Sequence, residues 1–113
     1  MWRIHFMTEL ERLRRDLPEG SDSWRPHRPG SKVIEIAQKI VGSVQREDLP
    51  LPLLVAGSDG SLQIKWRFAK ELSFFVSSDA VEFLQVYPQG SMEEGSLKNP
   101  EQVRELVDWL LAA

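Results

Sequence analysis

Asp59-Gly60 followed by apolar residues at Leu62, Ile64, Trp66 and Phe68 constrains this chain more than any other stretch. A turn pair that opens onto strict apolar/polar alternation specifies a hairpin strand buried on one face. Four strands read from the pattern around it, at 51–56, 61–67, 71–77 and 80–87. Closing the first hairpin on Gly57-Ser58-Asp59-Gly60 sets Val55 against Leu62, Leu53 against Ile64 and Leu51 against Trp66. A turn at Phe68-Ala69-Lys70 sets Trp66 against Leu72 and Ile64 against Phe74, and one at Ser78-Asp79 sets Val76 against Val81 and Phe74 against Phe83. The three registers stack Leu53, Ile64, Phe74 and Phe83 into one apolar row, and a one-residue slip would turn a strand's apolar set to solvent. After Phe83 the phase reverses at Leu84 and Val86, which predicts a β-bulge or a strand with both faces partly covered.

Helices flank this block. Trp2, Phe6, Leu10, Leu13 and Leu17 share one face of a helix over 1–17, although Thr8-x-x-Glu11 reads as a capping box that would start it at Glu9. Whether the chain is read from Met1 or Met7 decides if Trp2 and Phe6 are core or tail. Residues 18–30, rich in proline and glycine around Trp24, form a loop. Ser31 can cap a second helix over 31–46, with Val33, Ile36, Ala37, Ile40, Val41 and Val44 inward. Asn99-Pro100-Glu101-Gln102 opens a third over 99–112. Strands that cluster rather than alternate with helices argue α+β. The expected fold is therefore a single domain, a four-stranded antiparallel meander with the helices on one face, in the order α-α-β-β-β-β-α.

The 113 residues are 42% hydrophobic and 27% charged with a net charge of −3, enough for one core and too acidic overall to advertise nucleic acid. The absence of cysteine excludes disulfides, thiolate metal sites and thiol nucleophiles. No apolar run suits a signal peptide or a membrane span, so a cytoplasmic location away from membranes is expected.

Catalytic constellations are not legible, and no metal or cofactor is implied. His5 and His27 lack convergent partners. Glu47-Asp48 and Glu93-Glu94 are paired acids of a kind usually solvated in loops. Arg12, Arg14 and Arg15 interleave with Glu9, Glu11 and Asp16, as in a surface laced with local ion pairs. Arg15, Arg25, His27 and Arg28 nevertheless form a candidate anion site around the proline-rich loop. On the sheet's outward face Gln63, Lys65, Arg67, Glu71, Ser73 and Ser77 are polar, whereas Phe75 and Leu84 interrupt them. Lys65, Arg67, Phe75, Leu84 and Trp24 are the candidate interaction surface. Pro50 and Pro52 blunt the first strand's edge, which leaves the strand over 80–87 as the edge open to a partner.

Trp24, Pro50, Pro52 and the run Asp59, Gly60, Leu62, Ile64 and Trp66 resemble small uncharacterised bacterial α+β proteins that carry an early tryptophan loop and a D-G-x-[LIV]-x-[LIV]-x-W strand. The likeness covers residues 17–87, about two thirds of the chain. It departs where Arg25-Pro26-His27-Arg28 stands in place of Asp-Gly, and it implies no established activity. Two functions are expected from these features. One is a non-catalytic interaction module, antitoxin-, immunity- or chaperone-like, whose partner is another protein or a second copy. The other is a small nucleic-acid-processing or phosphate-binding protein that uses Arg25, His27 and Arg28.

Overall fold

The computed structural model describes residues 2–17, 28–44, 46 and 48–112. The elements run α1 (Trp2–Asp16), α2 (Ser31–Ser43), β1 (Leu53–Ala56), β2 (Leu62–Arg67), β3 (Glu71–Val76), β4 (Val81–Val86), β5 (Met92–Ser96) and α3 (Pro100–Leu111). The strands form one antiparallel sheet in sequence order, β1-β2-β3-β4-β5. The architecture is α+β as expected, but the meander has five strands instead of four.

Each helix forms where apolar residues recur at helical spacing. Trp2, Phe6, Leu10 and Leu13 are buried along α1. Thr8 does not cap: its hydroxyl donates back to the Ile4 carbonyl at 2.9 Å, the habit of a threonine inside a helix. The helix therefore runs through the capping-box sequence, and Trp2 and Phe6 are core. On α2 the inward stripe is Val33, Ala37, Ile40 and Val41. Gly30 takes the N-cap position and Ser31 is already helical, contrary to the expected serine cap. The helix stops at Ser43 instead of residue 46, because Val44 turns extended (φ −83°, ψ 120°) and buries its side chain.

The start of α3 follows its sequence. Asn99 is the N-cap, its side-chain oxygen accepting from the Gln102 amide at 3.0 Å, and Pro100 occupies the first turn. Replacing Asn99 by alanine should lower stability by about 1 kcal/mol in urea unfolding, and an unchanged midpoint would refute that role. At the other end the Lys70 ammonium donates to the carbonyls of Trp109 (2.6 Å) and Ala112 (2.9 Å), a cation where the helix dipole is negative.

Two hairpins adopt the expected registers: Trp66↔Leu72 and Ile64↔Phe74, then Phe74↔Phe83 and Val76↔Val81. The first hairpin is slipped by one residue, pairing Leu54↔Ile64 and Ala56↔Leu62. Its loop has three residues where the sequence suggested four. The Gly57 amide meets the Ser61 carbonyl at 2.9 Å, and Gly60 takes the left-handed conformation (φ +82°) that a three-residue loop needs at its last position. Leu53 and Val55 consequently face away from the helices, and Leu54 replaces Leu53 in the row with Ile64, Phe74 and Phe83.

The pairing of β3 with β4 runs unbroken from residue 81 to 86, so there is no bulge. Leu84 and Val86 face the open side, while Phe83 and Gln85 face the helices. The strand over 80–87 is not the sheet's edge either. The chain turns at Pro88-Gln89-Gly90, with Gly90 at φ +96°, and returns as β5 along β4. Gly95 lies under the Phe83 ring, which a β-carbon would meet at 2.8 Å.

All three helices of the described residues sit on one side of the sheet: α1 packs on α2 and β1, α2 and α3 on each other and on β3. Trp2 and Trp66 meet edge to face at 5.5 Å. Their indole N–H groups donate to the Arg46 carbonyl (2.7 Å) and the Pro50 carbonyl (3.0 Å), tying down the connection between α2 and β1.

Candidate interaction surface

The alternation that buries Ile64, Trp66, Leu72 and Phe74 under the helices necessarily presents the intervening residues on the opposite face. No element among the described residues covers that face. Val55, Gln63, Phe75, Glu82 and Ser96 form one row across it, and Leu53, Lys65, Ser73, Leu84 and Glu94 the next. Arg67, Glu71, Val86 and Met92 make a third.

Four apolar side chains stand exposed on this face, two on the β1 flank, one on the middle strand β3 and one on β5. Leu53, Val55, Phe75 and Met92 are 59%, 43%, 40% and 66% exposed. Val55 and Phe75 flank Gln63 and share with Glu82 a hollow of about 210 Å³. At the end of the face nearest the turn at residues 68–70 lies an ionic group. Glu71 accepts from the Arg67 guanidinium at 2.8 Å and has the Lys65 ammonium at 3.5 Å. Ser73 is buried beside it, and its hydroxyl accepts from the Gln63 amide at 3.3 Å. The Gln63–Ser73 bond, next to Phe75, ties down the polar groups at the middle of the face.

Of the surface residues expected from the sequence, Lys65, Arg67, Phe75 and Leu84 all lie on this face, and Trp24 falls outside the described residues. Leu53, Val55 and Met92 join them, and none was foreseen. The one-residue slip of the first hairpin brings out Leu53 and Val55, and Met92 belongs to the unexpected β5.

The expected anion site is placed differently. Arg25 and His27 lie outside the described residues. Arg15 is on the exposed side of α1 beside Asp16 at 3.0 Å. Arg28 is at the end of the sheet, where the Gly30 amide donates to the Gly60 carbonyl at 3.2 Å. It lines a hollow of about 420 Å³ with Ser77, Ser78, Asp59 and Asp79, to which Arg15 does not contribute. The Ser61 hydroxyl and then its amide hold Asp59 below the usual carboxylate range, so that carboxylate stays charged and opposes an anion there.

The basic run on α1 forms local pairs, Arg12 with Glu9 and Arg14 with Glu11, each at 2.5 Å. Hydrogen bonds from those arginines lower the pKa of Glu9 and Glu11. Such exposed pairs add little to stability. Among the described residues no helix is long and apolar enough to cross a membrane. Compared with known proteins, the chain matches no family model, no curated protein and no solved structure.

Proposed function

We propose that this chain is a non-catalytic protein-interaction module whose contact surface is the open face of its sheet. The observation that carries the reading is the uncovered face with Leu53, Val55, Phe75 and Met92 exposed across it. Exposed Phe75, Met92 and Arg67 are of the residue types enriched in protein contact surfaces. An aromatic such as Phe75 beside a hollow is the kind of residue that concentrates binding energy. The partner is another protein or a second copy of the chain, in a cytoplasmic role of the antitoxin, immunity or chaperone kind. The phosphate-binding alternative draws no support from the hollow at Arg28, where Asp59 and Asp79 oppose an anion.

The test is a Val55→Glu/Phe75→Glu variant. Both side chains are exposed, but a carboxylate at position 75 stands opposite Glu82, so a loss of about 1–2 kcal/mol is expected and circular dichroism checks that the fold survives. Association should weaken at least about 30-fold, since contacts at the centre of an interface are worth about 2 kcal/mol or more each. Sedimentation velocity reads self-association, and affinity capture from the source cell reads a foreign partner. The proposal fails if the variant and the parent chain show the same sedimentation profile and retain the same proteins.

A further inference from the structure

The last strand of the sheet is its most polar and least covered. Met92, Glu93, Glu94 and Ser96 of β5 are all exposed. The Tyr87 amide bonds to the Ser91 carbonyl and the Leu97 amide to the Val81 carbonyl. The antiparallel ladder therefore points the amides and carbonyls of Glu93 and Gly95 inward to β4 and those of Met92, Glu94 and Ser96 outward. An outward row of backbone groups is a template for one more strand.

Carboxylates flank that row on both sides of the sheet. Glu94 projects on the open face, in line with Leu84, and Glu93 on the helix side, in line with Gln85. Glu82 lies on the neighbouring strand opposite Ser96. Among the described residues no cationic side chain lies within 4 Å of Glu82, Glu93 or Glu94. Glu93 has only the Tyr87 hydroxyl, which donates at 3.2 Å. Desolvation, and then this carboxylate, raises the phenol's pKa, so the phenol stays neutral and leaves the carboxylate's charge uncompensated.

A charge of one sign selects between partners. A second copy pairing antiparallel through Glu94 would set that carboxylate directly against its own counterpart, and one centred on Glu93 would do the same there, which like-charge repulsion disfavours. A strand with basic residues opposite Glu93 and Glu94 meets the opposite result. Small apolar residues on either side of the basic pair would lie beside Met92 on the open face and Gly95 on the helix side. We infer that the outer edge of β5 accepts an extended basic segment of a partner protein as a sixth strand. This narrows the interaction reading to a partner of stated chemistry, on a surface separate from Val55 and Phe75.

The hexapeptide acetyl-Thr-Val-Lys-Lys-Val-Thr-amide is a direct probe, with a control of equal charge in which prolines replace both valines. At saturation the probe should slow amide exchange at Met92, Glu94 and Ser96 by about tenfold or more, because a bonded amide exchanges only on opening. The control should not, since proline lacks the donor that a ladder needs. A Glu93→Lys/Glu94→Lys variant, with its fold checked by circular dichroism, should bind the probe at least about tenfold more weakly. Val55→Glu/Phe75→Glu should bind it as the parent chain does, so the edge is tested independently of the open face. Unchanged exchange at the three amides, equal binding of the proline control, or full binding by the charge-reversed variant would each overturn the inference.

Discussion

Trp66→Ala should cost about 3–5 kcal/mol, a large share of the roughly 5–15 kcal/mol that holds a domain of this size. The side chain is 1% exposed at the centre of the core and makes two directional contacts. Its ring meets Trp2 edge to face at 5.5 Å, and its indole N–H donates to the Pro50 carbonyl. Alanine removes all three contributions and leaves a cavity between α1 and the sheet. Trp66→Phe separates them, because it keeps an aromatic ring and discards the donor. It should cost about 1–3 kcal/mol, the lost hydrogen bond to a part-buried carbonyl together with the packing that the smaller ring gives up. Equilibrium unfolding in guanidinium chloride measures both. An alanine variant within about 1 kcal/mol of the parent chain would show that Trp66 does not anchor this core.

A chain begun at Met7 should fail to fold cooperatively. It lacks Trp2 and Phe6, which are 4% and 0% exposed, and with Trp2 goes the hydrogen bond that holds the Arg46 carbonyl. Each large buried aromatic contributes about 3–5 kcal/mol, so their joint loss is on the scale of the whole stability. The shortened chain should show poor amide dispersion in NMR spectra, a broadened thermal transition and binding of hydrophobic dyes to the uncovered core. A sharp transition near that of the full chain would place the energetic boundary of the domain after residue 6.

The parts of this fold that were legible share a cause. Val33, Ala37, Ile40 and Val41 recur at helical spacing because one side of α2 is buried, and Ile64, Phe74 and Phe83 align because one face of β2, β3 and β4 is. Where burial was not one-sided, the pattern carried no register. Every residue from Leu53 to Ala56 is apolar, so alternation could not choose a face for β1, and the backbone geometry at Gly60 decided it. β5 was invisible because Met-Glu-Glu-Gly-Ser has no apolar face to bury; the turn at Gly90 and hydrogen bonds to β4 define it. At Thr8 a sound local motif lost to tertiary packing, since burying Trp2 and Phe6 carries the helix back through it. The open face was legible only through Phe75 and Leu84, which break a polar pattern. Leu53 and Val55 were hidden by the wrong register, and Met92 by the missing strand.

The contact of Trp2 with Trp66, which joins α1 to a strand made much later, has a consequence for synthesis on the ribosome. The meander consists of successive hairpins and closes through near neighbours in the chain, whereas α1 packs on α2 and also on β1 and Trp66, which are made later. Synthesis proceeds from the N-terminus. The stripe of Trp2, Phe6, Leu10 and Leu13 therefore leaves the exit tunnel before β2 and is incompletely covered until Trp66 follows it. For that interval the nascent chain exposes an apolar stripe that the finished fold buries.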